Sequence, residues 1–192
     1  MATALPFTNT KKELRFPKMA TFYDHFAQPL AWLALRFTVG AALIIQGIPL
    51  VMDPLSMKSF LEGIGLFPGH VWSPLLMMIQ VLGGILIVIG LFTRPAALVV
   101  ATMLLVTLWY HLAHPFGTIL VTEKGLEALT STTGMMTKDG YLLLSDGGLY
   151  FTSLAQSKAV MTSLLWSGAA LLFAAFGGGY LSLDRRYLRK RY

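Results

Sequence analysis

The residues of this chain that could bind a small molecule are polar side chains set in long apolar runs. The clearest are Gln46, Gln80, His111 and Trp166. A polar side chain in hydrocarbon tends to face neighbouring helices and pair there, because it finds no water. Measured at about 1.5 Å per residue, Gln46 and Gln80 both lie about 9 Å from the same end of their runs. The pattern therefore predicts a polar cluster in the outer leaflet.

Two interpretations of this cluster stay open. Thr107, Ser163 and Ser167 belong to the same layer, and hydroxyl groups of this kind often only join helices to one another. The alternative is a pocket for a quinone, a lipid or a small substrate, built mainly from the four residues named above. Proton transfer is a weaker role, because glutamine has no titratable proton.

Arg36 is a charged residue inside an apolar run, six positions after Leu30. An ionisable group at such a position is a candidate functional residue. An arginine near a helix end can also extend its guanidinium to the lipid headgroups. We therefore expect Arg36 either to reach the headgroups or to pair with Asp184.

The sequence gives no support to chemistry that needs cysteine or a metal. The chain has no cysteine, which excludes disulfides, thiolate nucleophiles and iron–sulfur ligation. His111 and His114 share one helix side, but a metal or haem site needs ligands that converge from separate helices. We therefore predict no metal site and no intrinsic cofactor. Phosphate-binding loops and dinucleotide fingerprints are also missing from the sequence, and whether the chain is an enzyme stays open.

The elements that must position these residues are membrane helices. The chain is 55% hydrophobic and 12% charged, whereas soluble domains have about 25% charged residues. Four apolar runs reach the length of about 20 residues that a membrane helix needs. Their approximate bounds are 30–51, 74–93, 95–114 and 159–181. The predicted fold is an all-α membrane protein, a bundle of four transmembrane helices.

Small residues recur on one side of these helices. Gly40 and Gly47 are seven residues apart, as are Gly83 and Gly90, a spacing that returns to the same helix face. Each interior glycine costs about 1 kcal/mol in a soluble helix. In lipid the same glycines let two backbones approach closely. The spacing therefore predicts tight helix–helix packing.

Basic residues are unevenly distributed around these helices. An even number of spans places both termini and the short link at Arg94 on one side. That side holds ten basic residues: Lys11, Lys12, Arg15, Lys18, Arg94, Arg185, Arg186, Arg189, Lys190 and Arg191. The other side holds four: Lys58, Lys124, Lys138 and Lys158. By the positive-inside rule we predict a multi-pass protein of the bacterial inner membrane with both termini in the cytoplasm.

The two ends of the chain flank a predicted membrane domain over residues 29–186. Residues 1–28 are a polar cytoplasmic segment, either an amphipathic helix on the membrane surface or a partly ordered tail. Residues 187–192 form a basic cytoplasmic tail that suits anionic lipids or a protein partner. The basic charge thus indicates membrane topology and lipid contact rather than nucleic-acid binding.

The extracytoplasmic segment 115–158 is too apolar for a free linker. Residues 122–129 predict a short helix. Two turn signals, at 138–140 and at 146–148, flank apolar stretches and favour a β-hairpin or an extended cap. We expect this segment to pack on the membrane domain or on other membrane or periplasmic subunits.

Several motifs resemble the DoxX/DoxD family of small four-helix bacterial membrane proteins. They are Leu35-Arg36-Phe37, Gln46-Gly47, the stretch 60–66, the glycine-rich stretch 80–94, the motif 111–116 and the segment 177–185. Apart from the outer segment, they cover the chain from about 30 to 186. The resemblance implies a four-helix bundle. It also implies a link to redox chemistry, since one branch is similar to a thiosulfate:quinone oxidoreductase subunit and others resemble partners in oxidant-defence complexes.

Two positions differ from the usual pattern of that family. Gln46 stands where relatives usually have histidine, and Gln80 stands where they usually have glutamate. Any proton-transfer role of those positions is therefore not expected here. The favoured function is an integral membrane subunit of a quinone-linked redox or energy-converting complex, without its own redox centre. The alternatives are a thiosulfate:quinone oxidoreductase component that acts directly on quinone, and a small-solute carrier.

Overall fold

The computed structural model describes residues 19–117, 119–131, 137–179 and 181–186, and these residues form helices and no strand. Four helices are long and apolar enough to cross a membrane. They are α1 (Met19–Met52), α3 (Gly69–Ile89), α4 (Thr93–Ala113) and α7 (Leu149–Phe176). Shorter helices are α2 (Lys58–Gly63), α5 (Glu123–Ser131), α6 (Lys138–Leu144) and α8 (Leu183–Arg186). The prediction of four membrane-length helices is confirmed. Residues 1–18 of the predicted N-terminal segment and the basic tail 187–192 lie outside the described residues.

The helix ends differ from the apolar runs where turn residues intervene. Helix α3 ends at Ile89, before the predicted Thr93, because Gly90 adopts the left-handed conformation with φ of 71°. That conformation suits glycine and stops a helix. Helix α7 begins at Leu149, ten residues before the predicted start at Ala159, and helix α1 begins at Met19. A π-helical turn over Tyr23–Ala27 lies near the start of α1.

Helices α1 and α3 pack through glycines, as the spacing predicted. A Cβ added at Gly40 would lie 2.7 Å from the Gly84 carbonyl oxygen and 2.5 Å from Cγ2 of Val88. A Cβ at Gly84 would in turn lie 2.8 Å from the Gly40 carbonyl oxygen. The two backbones are therefore in direct contact at this level. Helix α4 packs on α3 in a similar way, since a Cβ at Gly83 would lie 2.5 Å from Cγ2 of Val100.

The described contacts divide the chain into two compact units. The first unit, residues 1–103 and 168–192, holds α1, α2, α3, the first half of α4, the end of α7 and α8. The second unit, residues 104–167, holds the second half of α4, the outer segment and the first part of α7.

Helices occupy the described residues 138–144 and 149–151 of the stretch where a β-hairpin was predicted, so that prediction was wrong. Helix α6 occupies the first apolar stretch, and the Thr137 hydroxyl caps it by accepting a hydrogen bond from Gly140 N at 3.0 Å. Asp146 caps α7 instead of forming a hairpin turn, as its carboxylate accepts from the backbone N–H groups of residues 148–150. Threonine and aspartate favour helix N-caps as well as turns. Helix α5 overlaps the stretch 122–129 where a short helix was expected.

Candidate functional site

The two glutamines of the predicted polar cluster meet between helices α1 and α3. Gln80 Nε2 donates to Gln46 Oε1 at 3.5 Å, the outer limit of a hydrogen bond. Gln46 is exposed and Gln80 is half-buried. Within the described residues, Gln46 Nε2 and Gln80 Oε1 have no other hydrogen-bond partner. The pair thus leaves one amide donor group and one amide acceptor available on an open helix surface.

Close helix packing explains why the two amides lie at one level. A Cβ on Gly47 would clash with Cγ2 of Val81. Gln46 and Gln80, which directly precede these two residues in sequence, are therefore also brought together. The depth differs from the prediction, because α3 begins at Gly69 rather than near residue 74. Gln80 is the twelfth residue of this 21-residue helix. The amide pair therefore lies near the middle of α3 rather than about 9 Å from its end.

The other two predicted cluster residues, His111 and Trp166, belong to the second unit. Both are half-buried. His111 Nδ1 is a buried atom without a hydrogen-bond partner in the described residues. The His111 carbonyl oxygen accepts a hydrogen bond from Gln156 Nε2. The structure brings Gln46 and Gln80 together, and the membership of His111 and Trp166 in the same cluster stays a prediction.

Gln156 is a connecting residue that the sequence analysis did not identify. Its Nε2 donates to the His111 carbonyl near the end of α4, and its Oε1 accepts from Phe116 N at 3.1 Å. One side chain of α7 therefore satisfies the His111 carbonyl, one of the last four carbonyls of α4, which lack intrahelical partners. The same side chain also accepts from Phe116 N in the segment that follows α4. The sequence signal was a lone amide ahead of the fourth apolar run.

Arg36 is buried and does not extend to the headgroups, so that alternative was wrong. Its side chain is 1% exposed. Nη2 donates to the Val88 carbonyl at 2.8 Å, and Nη1 donates to the Gly178 carbonyl. The Val88 carbonyl is among the last carbonyls of α3, which lack intrahelical partners and carry a partial negative charge. Gly178 lies two residues beyond the end of α7. The guanidinium therefore joins the C-terminal end of α3 to the segment that follows α7.

Asp184 has the complementary role at a helix N-terminus. Its carboxylate accepts from Phe92 N at 2.7 Å, and from Thr93 N and Thr93 Oγ1 at 2.9 Å each. Its own N–H donates to the Gly90 carbonyl at 3.0 Å. Asp184 thus caps α4, whose N-terminus carries a partial positive charge. Asp184 also attracts Arg36 electrostatically, but the two side chains bond to different groups, and their direct pairing stays a prediction.

The segment after α7 completes this arrangement, and we call its described residues 177–179 and 181–184 the C-terminal clasp. Trp32 Nε1 donates to the Gly177 carbonyl at 3.0 Å. A Cβ at Gly179 would lie 2.2 Å from Cδ1 of Trp32, and a Cβ at Gly90 would lie 2.7 Å from Arg36 Nη1. The hydrogen bonds of Trp32, Arg36 and Asp184 therefore fasten α1, the end of α3 and the start of α4 to the segment that follows α7.

A comparison with protein families identifies the N-terminal part of this bundle. The DoxX family model matches residues 31–114. The chain therefore contains a DoxX domain over these residues. The DoxX domain spans α1 to α4 and includes Arg36, Gln46, Gln80 and His111, whereas Trp166 and the clasp follow it. No curated protein and no solved structure matches the sequence. Four apolar helices and the DoxX domain together make this a multi-pass membrane protein.

The part of the chain that the structure describes contains no group of three or more His, Asp or Glu side chains placed to hold a metal ion.

Proposed function

We propose that this DoxX protein is a membrane subunit of a quinone-linked redox or energy-converting complex, without a redox centre of its own. The observation that carries the proposal is the Gln46–Gln80 pair. An unsatisfied amide is costly in hydrocarbon, so an open amide pair near the middle of a membrane helix suits a ligand that dissolves in the bilayer. A quinone meets that requirement, because its ring is apolar and its carbonyl oxygens accept hydrogen bonds.

The proposed contact uses the two amides in different ways. The Gln46 amide N–H2 has no partner among the described residues and would donate to a quinone carbonyl. The Gln80 carbonyl oxygen would accept from the hydroxyl of the reduced quinol. A glutamine cannot deliver or remove a proton, so the pair would bind and orient the head group while a partner subunit performs the electron transfer.

The experiment is quinone binding by the full-length protein in lipid nanodiscs. A short-chain ubiquinone analogue is titrated against wild type, Gln46→Leu and Gln80→Leu. One lost hydrogen bond is worth about 1 kcal/mol, so each variant should bind about five-fold more weakly. The matched control is Thr102→Val, which removes an exposed hydroxyl that bonds to the Leu98 carbonyl of its own helix. Equal binding by all four proteins would refute the quinone site.

We also propose that other membrane or extracytoplasmic subunits contact the segment 115–158. Helix α5 presents an exposed polar side, with Glu123, Lys124 and Glu127 at its surface. Replacing α5 with a flexible linker of equal length should release the protein from its complex during mild detergent extraction. Retention of the same co-purifying proteins would contradict this part of the proposal. The location that fits such a complex is the bacterial inner membrane, with both termini cytoplasmic.

A further inference from the structure

Pro49 interrupts the backbone hydrogen bonds of α1 beside the glutamine pair. It lies inside the helix, three residues before the helix ends at Met52. Proline has no N–H, so the carbonyl four residues earlier, that of Ile45, loses its usual helical donor. Ile45 lies seven residues before Met52. Its carbonyl is therefore not one of the last four, which any helix end leaves unpaired.

No other group of the described residues replaces the missing donor. Neither a side chain nor a loop amide among them donates a hydrogen bond to Ile45. Membrane helices usually tolerate proline because neighbouring helices or hydroxyl side chains bond to the carbonyl that it frees. Here Ile45 is 65% exposed and Pro49 is also exposed, so this side of α1 is open to a ligand.

The freed carbonyl adjoins the glutamine pair. It belongs to the peptide bond that joins Ile45 to Gln46. At about 100° per residue around the helix axis, Pro49 lies about 40° from Ile45 and about 60° from Gln46. Gln46 in turn bonds to Gln80, near the middle of α3. An unpaired carbonyl at that depth is costly, because the bilayer core supplies no water to bond to it.

The open groups at this site include more acceptors than donors. The acceptors are the Ile45 carbonyl oxygen and Gln80 Oε1, and the donor is the Gln46 N–H2 group. An oxidised quinone has only acceptor oxygens, so it pairs with the donor and leaves both acceptors unpaired. A quinol has two hydroxyl groups, and a hydroxyl both donates and accepts. The quinol therefore satisfies all three groups.

We infer that this site binds the reduced quinol in preference to the oxidised quinone, and that Pro49 strengthens the preference by freeing the Ile45 carbonyl. The inference rests on the proposed function, since it assigns the redox form of the ligand at the same glutamine pair. Pro49 acts through the carbonyl and needs no contact with the ligand. It is thus a specificity-determining residue that the polar side chains alone do not reveal.

The test compares two redox forms of one probe on the full-length protein in lipid nanodiscs. A short-chain ubiquinone analogue is titrated in the absence of oxygen, once oxidised and once chemically reduced, and binding to empty nanodiscs is subtracted. One hydrogen bond changes affinity about five-fold, so two should make wild type bind the quinol about 25-fold more tightly. Pro49→Ala restores the N–H that pairs with Ile45, and the preference should fall to about five-fold.

The matched control is Pro74→Ala, which removes the interior proline of α3. Pro74 lies six residues from Gln80, about 9 Å along the helix, so this variant should keep the preference of wild type. Pro49→Val repeats the main test with a larger side chain. Alanine favours a helix interior, and thermal unfolding should therefore show no loss of stability in Pro49→Ala.

Each outcome decides the inference. A quinol preference that falls in both Pro49 variants but not in Pro74→Ala supports it. Equal affinity of wild type for the two forms, or an unchanged preference in Pro49→Ala, overturns it and leaves the proposed quinone site intact. Binding of neither form above the level of empty nanodiscs refutes the proposed site and this inference together.

Discussion

The Asp184 carboxylate accepts hydrogen bonds from both the backbone N–H and the hydroxyl of Thr93, across 91 positions of sequence. A residue after the last span thereby caps the third span. Arg36 fixes the same end of the bundle by donating to the carbonyls of Val88 and Gly178. Buried charges of this kind stabilise a fold only when each is well paired. Here groups at or just beyond the ends of three helices bind the Asp184 carboxylate and both Nη atoms of Arg36. The Arg36 Nε atom is buried without a hydrogen-bond partner among the described residues.

Replacing Asp184 should destabilise the bundle strongly. Asp184→Ala leaves two backbone N–H groups and a hydroxyl without their acceptor, and buried unsatisfied donors cost about 1–3 kcal/mol each. We expect a loss of about 3 kcal/mol after local relaxation. Asp184→Asn keeps one acceptor oxygen and should lose less. Thermal unfolding in detergent measures both, and equal stability of Asp184→Ala and wild type would contradict the cap.

The contact between α1 and α3 gives a second prediction. Gly40→Ala places a Cβ 2.7 Å from a backbone oxygen and 2.5 Å from a valine methyl. Overpacking of this kind costs about 1–3 kcal/mol. The control is Gly168→Ala in α7, where an added Cβ has nothing within 4 Å. The control should be neutral or more stable by up to about 1 kcal/mol, because alanine favours helix. If Gly40→Ala were as stable as the control, the close approach would be wrong.

Much of the fold follows from local sequence, and the failures have specific causes. The four spans and the glycine contacts were predictable because hydropathy and residue size act within one helix. The Asp184–Thr93 cap was not, because it joins residues that are distant in sequence. Asp146 was predicted to form a hairpin turn but caps α7, because an aspartate before glycines suits both a turn and a helix N-cap. Gly90 was read as a packing residue, whereas its positive φ ends the helix.

The geometry of the candidate site was also predictable only in part. The pairing of Gln46 and Gln80 was predictable from matched depth, but their place near the middle of α3 was not. Gln80 lies near the middle because α3 begins at Gly69, five residues before the predicted start at residue 74. Those residues include a serine, a histidine and a tryptophan, so the apolar run alone understates the helix.

The Asp146 cap should make the outer segment sensitive to acid. Backbone hydrogen bonds, first that of Tyr150 N, lower the pKa of Asp146 in the folded state. The carboxylate therefore stabilises the fold above its unfolded pKa of about 3.9, and this contribution is lost as pH falls through the lower folded pKa. Asp146→Asn should abolish that part of the pH dependence. Hydrogen exchange at residues 148–150 between pH 5 and pH 2 measures it, and identical profiles for both proteins would exclude the cap.

Single cysteines also test the proposed orientation. A membrane-impermeant maleimide applied to intact cells should label Lys58→Cys and Leu142→Cys on the outer side. Leu181→Cys, exposed in the clasp, should react only after the membrane is opened. The prediction follows from the excess of basic residues on the side of the termini. Labelling of Leu181→Cys in intact cells, with protection of Lys58→Cys, would reverse the topology.

The most direct test of the proposed function is photolabelling with an azido-quinone in native membranes, followed by mapping of the labelled peptides. The account predicts that label concentrates on the stretches around Gln46 and Gln80, that excess quinone competes it away, and that Gln80→Leu reduces it. Label that falls elsewhere on the chain, or that is unchanged in Gln80→Leu, would contradict the quinone-linked function.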